Sequence, residues 1–315
     1  MSADPIADAP TTSRFALIYP YLLLSLCMLL WSGNWIVGRA LRDTMPPVSL
    51  AFWRWTVAGL ILAPIALPRL RGKGALLRRS WPLMLGLAAT GGAFYHVAAY
   101  FGLRHTETIN AALLNSATPL FILLASWFFD GRRATVRQLV GMVISIVGVL
   151  VILNRGDLSR MAALQFSIGD LAILGVMPSW AFYTVMAKRR PIEIDNMTLI
   201  FILAVFGVTA LAPFYWLESV YVQPTPFNGT TIMAALYMGG CASVGGYWCW
   251  NKGAELIGAN RAGFTTYLMP AFTTILAMFI LDEEVHLFHA VGIVTILFGI
   301  WLATSNYNFG RVRRI

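Results

Sequence analysis

Ten stretches of this chain, 16–38, 48–67, 82–102, 109–129, 136–153, 168–187, 197–217, 231–251, 260–281 and 286–304, are apolar runs separated by short connections. Each is close to the roughly 20 residues that a helix needs to cross the hydrocarbon core of a bilayer. A helix satisfies all of its own backbone groups, so in lipid such runs must be helical. The reading is therefore an all-α membrane protein with ten transmembrane helices. Composition agrees: 58% of the 315 residues are hydrophobic and 12% charged, too little polar surface to clothe a soluble domain of that size. The tails 1–15 and 305–315 are expected to be a disordered and a basic cytoplasmic segment. The first lacks the basic start and small-residue cleavage site of a secretion signal.

The net charge of +9 is not spread over a face. Lys and Arg sit in the connections, and they alternate. With the N-terminus inside, 17 of the 23 fall inside, whereas Arg39, Arg42, Arg104, Arg155 and Arg160 fall outside and Arg54 lies within a span. That bias places both termini in the cytoplasm of a multi-pass inner-membrane protein. No basic surface with interleaved aromatics remains to bind nucleic acid. Cys27, Cys241 and Cys249 lie inside spans, which argues against a disulfide framework or a zinc site. No cofactor or metal is expected.

The second half repeats the first. A shift of 151 residues lays Gly102 on Gly253, Ala111 on Ala262, Pro119 on Pro270 and Phe121 on Phe272. In the same register Val140, Gly141 and Gly148 meet Val291, Gly292 and Gly299, and a shift of 149 pairs Trp31 with Trp180. Repeat one is 16–153 and repeat two 168–304. Five helices per repeat is odd, so the two copies must cross the membrane in opposite senses. The connections agree: the basic 68–80 corresponds to 218–230, which has no Lys or Arg, and Arg132 and Arg133 correspond to a stretch carrying Asp282, Glu283 and Glu284. Inverted-topology repeats are a hallmark of secondary transporters, whose substrate sites lie near the midplane between the halves.

Candidate site residues follow from that placement. Pro119 and Pro270 each remove a helical hydrogen bond, freeing the carbonyls of Asn115 and Thr266. The kinks either line the pathway or serve packing. Gly92, His96 and Tyr100 share one face of span three, with Tyr95 beside them, and Ser243, Tyr247 and Asn251 form the equivalent face of span eight. Polar groups are costly against lipid, so both faces should turn inward. His96 either binds a carboxylate or carries a proton, or is a neutral ring bonded to a neighbouring helix. Trp180, Tyr183 and Thr184 on span six mirror Trp31, Asn34 and Trp35 on span one. These walls suit a planar apolar side chain or an ammonium, against a reading as ordinary packing. Trp81 and Trp127, at span ends, belong to the interfacial belt.

Arg54 lies near one end of span two and is expected to snorkel to the outer interface, with a clamp on a substrate carboxylate as the alternative. Asp170, three residues after Ser167, reads as a capping box. His286 and His289, three apart on a helix, are read as lying at a membrane edge without the partner ligands that a metal site would need. The spacing of Gly141 and Gly148 points to helix packing. No Asp or Glu lies deep in any span, which disfavours organic cations and favours a neutral or zwitterionic substrate.

Several segments resemble the EamA-type branch of the drug/metabolite transporter superfamily: Leu29, Trp31, Ser32, Gly33 and Asn34; Pro47 to Arg54; Asn110 to Pro119; Gly169, Asp170 and Leu171 to Trp180; and Ala262 to Pro270. Glu283 followed by Gly292 is similar to the family's acidic residue and glycine before the last helix. The resemblance implies a ten-helix exporter of small metabolites. Two features depart from the pattern. Arg132 stands where the first repeat would match Glu283, so no role carries to it, and span three is unusually aromatic.

Together these readings give an exporter of small zwitterionic metabolites, most simply amino acids with aromatic or bulky apolar side chains, working by alternating access. Other metabolites or drugs handled by the superfamily are the alternative. The expected substrate-binding residues are Trp31, Asn34, Tyr95, His96, Tyr100, Asn115, Trp180, Tyr183, Tyr247 and Thr266. They are expected in a cavity lined by spans one, three, four, six, eight and nine. Beyond substrate and membrane lipid no partner is expected, and a monomer is the simplest state. An intramembrane enzyme would need an HExxH pair, a phosphate loop or a paired-carboxylate site, and none is found. A channel would need charged rings or a carbonyl filter, which are equally absent.

Overall fold

A computed structural model describes residues 14–131, 135–153, 155–157 and 167–304, and every regular element among them is helical. Grouped at their breaks, the helices make ten passes. They are α1 (Arg14–Ala40), α2 (Pro47–Leu70), α3 (Gly74–His105), α4 (Thr108–Asp130) and α5 (Val136–Leu153), then α6 (Ile168–Met186), α7 (Asn196–Tyr221), α8 (229–257), α9 (259–280) and α10 (Leu287–Thr304). The sequence places these helices well. The largest difference is α3, which starts at Gly74 rather than at 82 because Gly74–Ala88 is one uninterrupted basic-to-apolar helix. Residues 1–13 and 305–315, read as tails, and Arg132, Arg133 and Arg160 lie outside the described residues.

Seven passes are by themselves long and apolar enough to cross a membrane. The apolar cores of α5 and α10 are shorter, Leu139–Ile152 and Leu287–Gly299. Large apolar side chains point outward along the bundle, among them Phe94, Phe128, Phe214 and Phe279. Lipid, not water, is the solvent they suit. Trp81 and Trp127 are exposed near helix ends, as an interfacial belt requires.

The repeat is written into helix irregularities. Within α3 the stretch Ala89–Ala93 is π-helical, and Tyr237–Gly245 does the same in α8. Both are glycine-rich, and π turns concentrate at functional places in helices. The proline kinks turn out to be full breaks. In α4 the helix stops at Asn115 and restarts at Thr118, and in α9 it stops at Thr265 and restarts at Leu268. The reason is that Pro119 enters in the first turn of the second piece, where its missing N–H costs nothing.

Contacts obey the same two-fold. A Cβ added to Gly102 on α3 would meet Ile173 on α6 at 2.8 Å, and one added to Gly253 on α8 would meet Leu24 on α1 at 2.5 Å. Gly102 and Gly253 are equivalent, as are Leu24 and Ile173. At the α5–α10 seam a Cβ on Gly148 would lie 2.7 Å from the Gly292 carbonyl, and one on Gly299 would strike the carbonyl of Gly141. The pair Gly148–Gly292 thus has its counterpart in Gly299–Gly141, so the seam as a whole matches itself, the mark of an isologous contact. The sequence reading of Gly141 and Gly148 as packing residues therefore holds.

The packed units are not the repeats. Helix α1 packs on α8 and α9, whereas α6 packs on α3 and α4. Two crosswise bundles result, α1/α8/α9 and α6/α3/α4, flanked by the pairs α2–α7 and α5–α10. The two ends of the assembly can be named by their carboxylates. At one, Glu283 accepts from the N–H of Thr108 and of Ile109 at 2.8 and 2.9 Å. At the other, Asp130 accepts from Lys188 at 2.6 Å.

Candidate functional site

At the meeting of the two bundles, a cavity of about 20 Å³ is lined by Trp31, Asn34, Trp35, Arg54, Tyr95, His96, Trp180, Tyr247 and Met269. That is room on the order of one water molecule. The rings fill the rest. Trp31 meets Trp180 edge-on at 4.9 Å between centroids and Tyr247 at 5.7 Å. Trp180 in turn stands edge-on to Tyr247 at 5.5 Å. Repeats thus contribute equivalent tryptophans, Trp31 and Trp180, to opposite walls. Local geometry holds each ring: the Trp31 Nε1 donates to the carbonyl of Ala242 inside the α8 π stretch at 3.0 Å. The Tyr247 hydroxyl donates to the carbonyl of Gly91 inside the α3 π stretch. The wide turns supply the free carbonyls that anchor the aromatic walls.

Arg54 does not snorkel. Its side chain is 1% exposed and turned into the protein. Nε donates to Ser243 Oγ at 2.6 Å, and Nη1 donates to Asn34 Oδ1 at 2.8 Å and to the Tyr100 hydroxyl at 3.1 Å. The guanidinium carbon also lies 5.8 Å from the centre of the Trp55 ring, within cation–π range. These partners are 189, 20 and 46 residues away in sequence, which is why the snorkel reading failed: lipid distance was visible, partners were not. No ion pair reaches Arg54 among the described residues. Nη2 makes no hydrogen bond there and belongs to a residue that lines the cavity. A buried guanidinium without a carboxylate calls for an anion from elsewhere.

His96 faces the same space. Its Nδ1 lies 2.6 Å from the Gly92 carbonyl, which can only accept, so Nδ1 carries the proton and Nε2 of the neutral ring is left as an acceptor. An acceptor beside a cationic fork is a pairing that suits a zwitterion.

Six of the ten expected site residues line the cavity: Trp31, Asn34, Tyr95, His96, Trp180 and Tyr247. The other four stand behind it. Tyr100 supports Arg54, and Tyr183 packs on Trp180 at 4.9 Å and donates to Asn251. Asn115 reaches the sulfur of Met269 at 3.4 Å, joining the break in α4 to that in α9. The Thr266 hydroxyl is spent on the carbonyl of Gly263 at 2.6 Å. Helix α2 takes the place expected of α4 in the lining, through Arg54. Trp35, read with Trp31 and Asn34 as part of the span-one wall, also lines the cavity. Met269 is a wall residue that the sequence reading missed, because it carried no signal beyond its place before Pro270.

One further expectation is corrected. Ser167 does cap α6, accepting from the Gly169 N–H at 3.1 Å. Asp170 does not complete a capping box, because its Oδ1 accepts from Thr106 Oγ1 at 2.5 Å and pins the α3–α4 turn instead. His289 lies in the first turn of α10, at the end of the helix as read, and is buried there, with Nδ1 accepting from the His286 N–H at 3.0 Å and Nε2 at 3.2 Å from Asn110 Oδ1.

Known proteins fit this architecture. An uncharacterized transporter of Archaeoglobus fulgidus is 29% identical over 288 residues, covering 90% of this chain and 97% of its own. The aromatic amino acid exporter YddG of Ancylobacter novellus is 26% identical over 252 residues, covering 79% of this chain and 84% of its own. One solved crystal structure superposes with a TM-score of 0.62 at 21% identity, covering 91% of this chain and 96% of that one, a likeness of fold. The model of the EamA-like transporter family matches twice, over residues 18–154 and 167–305. With ten helices in two inverted repeats and one copy of the family model on each, this chain belongs to the EamA-like transporter family and is a multi-pass membrane transporter, not an enzyme.

Proposed function

We propose that the protein exports small zwitterions, amino acids with an aromatic or bulky apolar side chain, by alternating access. One observation carries the reading: Arg54 is a buried cation with three neutral hydrogen-bond partners and no carboxylate partner among the described residues. A substrate carboxylate supplies the missing charge, through the bidentate geometry that a guanidinium favours. The Nε2 of His96 then accepts from the substrate's ammonium, and the faces of Trp31, Trp180 and Tyr247 receive its apolar side chain. Naming of one relative as an aromatic amino acid exporter points the same way. The cavity as it stands is far smaller than an amino acid, so substrate entry requires the ring walls to part. With the Lys- and Arg-rich connections inside, export runs from the Asp130 end to the Glu283 end.

Counterflow of labelled phenylalanine into proteoliposomes tests this, with competitors that isolate each charge. Phenylalanine and leucine should compete, whereas phenethylamine, which lacks the carboxylate, should compete at least tenfold less well. Equal competition by the amine would refute the role of Arg54. Ohmic, non-saturating flux would refute a carrier.

A further inference from the structure

Two hydrogen bonds flank the cavity, and they are counterparts. The Tyr100 hydroxyl on α3 donates to Asn34 Oδ1 on α1 at 2.9 Å. The Tyr183 hydroxyl on α6 donates to Asn251 Oδ1 on α8 at 3.0 Å. The repeat shifts of 149 and 151 lay Asn34 on Tyr183 and Tyr100 on Asn251. Donor and acceptor have changed helices, yet the bond is kept. Each bond also joins one crosswise bundle to the other, because α1 and α8 belong to one and α3 and α6 to the other.

Their depths are mirrored. Asn34 and Tyr100 lie six and five residues from Ala40 and His105, at the Glu283 end. Tyr183 and Asn251 each lie six residues from Arg189 and Ile257, at the Asp130 end. At 1.5 Å per residue each bond is about 9 Å in from its own end of the bundle. All four side chains are buried. Between the bonds runs a column of rings: Tyr100 to His96 at 6.0 Å, His96 to Tyr247 at 6.3 Å, Tyr247 to Tyr183 at 5.7 Å. If one bundle rocks on the other about this column, helices separate at one end and close at the other. Such a motion breaks one Tyr–Asn bond and preserves its counterpart.

We propose that Tyr100–Asn34 and Tyr183–Asn251 are the paired gates of the cavity, the first closing it towards the Glu283 end and the second towards the Asp130 end. The proposal rests on the cavity being the substrate's path. Access of a small reagent reports on the gates with no substrate present, so the gates and the substrate assignment fail separately. Loss of one neutral hydrogen bond, as at Tyr183, shifts an opening equilibrium about fivefold; the Tyr100 hydroxyl also accepts from Arg54, so its loss shifts the equilibrium by at least that much.

The test uses the full chain in proteoliposomes, with Cys27, Cys241 and Cys249 changed to serine and Met269→Cys placed in the cavity wall. A charged, membrane-impermeant thiol reagent is added from one side at a time. Asp282→Cys and Arg71→Cys in separate samples mark which side carries which end. Tyr100→Phe should speed labelling of the cavity cysteine at least about fivefold from the Asp282 side and leave the Arg71 side unchanged. Tyr183→Phe should do the reverse. Asn251→Val should reproduce Tyr183→Phe, and the two together should add nothing, as expected for one shared bond and not for two packing defects. Phenylalanine keeps each ring in place, so loss of fold is not what is read. Faster labelling from the wrong side, from both sides, or from neither overturns the proposal, as does additivity in the double variant.

Discussion

The two ends of the bundle are built from equivalent helices but are not equally tied. At the Glu283 end, Glu283 caps α4 across the bundle boundary, and Glu218 caps α2 through the N–H groups of Val48 and Ser49 at 3.2 and 2.7 Å. Arg39 on α1 donates to the carbonyl of Leu103 on α3 at 2.7 Å. At the Asp130 end, Lys188 and Asp130 join helices of the same bundle. A tie between bundles there, among the described residues, is Arg190 to Glu255, at 3.9 Å with Glu255 half-exposed. Charge-assisted bonds to backbone N–H are worth about 1.5–3 kcal/mol each, whereas exposed pairs are worth about 0–1 kcal/mol. The gates are matched by the repeat, whereas the charges around them are not: the Glu283 end carries the stronger of the described ties between bundles.

The largest test of that contrast is Arg54, whose charge has no counterpart in repeat two. Arg54→Gln is expected to lower kcat/KM for a zwitterion about 100-fold or more, roughly 3 kcal/mol of charge-assisted binding. Retention of transport within threefold would remove the special standing of this end. The seam makes the opposite prediction, equality. Gly148→Ala and Gly299→Ala should each cost about 1–3 kcal/mol through overpacking, read as matching falls in melting temperature in detergent. A large effect from one and none from the other would show that the seam is not self-matching.

Glu283→Gln should raise labelling of the cavity cysteine from the Glu283 end about tenfold, the loss of about 1.4 kcal/mol. Glu255→Gln should change labelling from the Asp130 end less than twofold. Equal changes would abolish the asymmetry. The smallest effect concerns Asp195, the cap of α7, which accepts from the Thr198 N–H at 2.9 Å and from Arg69 at 3.0 Å. Burial alone would raise its carboxyl, but the Thr198 hydrogen bond and Arg69 outweigh it and hold it below the ordinary carboxylate value. Its stabilisation is thus complete above about pH 4 and is lost as pH falls through the depressed value. Asp195→Asn should trim the acid-side fall in melting temperature by an amount matching a cap of about 1 kcal/mol or less. An unchanged acid limb would assign that fall to other groups.

Much of this was legible in the sequence for physical reasons. The ten helices follow from apolar length, because lipid leaves the backbone no alternative to intrahelical bonding. The inverted repeat follows from glycines and prolines in one register, since both mark backbone geometry rather than general hydrophobicity. His96, Trp31 and Trp180 were found because polar and bulky residues at helical spacing define a face. What could not be seen is which long-range partner each polar group meets. Arg54 looks like a snorkelling residue until Ser243, Asn34 and Tyr100 surround it. Asp170 looks like half of a capping box until Thr106 claims it, and the contact of His289 with Asn110 has no sign in the sequence. Thr266 and Asn115 sit at helix breaks as expected, but Thr266 is spent on the nearby Gly263 carbonyl and Asn115 on Thr118 and, across the bundle, on Met269.

The crosswise packing bears on how the chain is made. Helix α1 leaves the ribosome well before α8 and α9, yet two of its polar groups are satisfied by them: Trp31 Nε1 bonds to Ala242, and Ser32 Oγ to Met269 at 3.2 Å. Asn34 meets Arg54 and Tyr100 as soon as α2 and α3 are made, whereas Trp31 and Ser32 must wait in the bilayer unmatched until α8 and α9 follow.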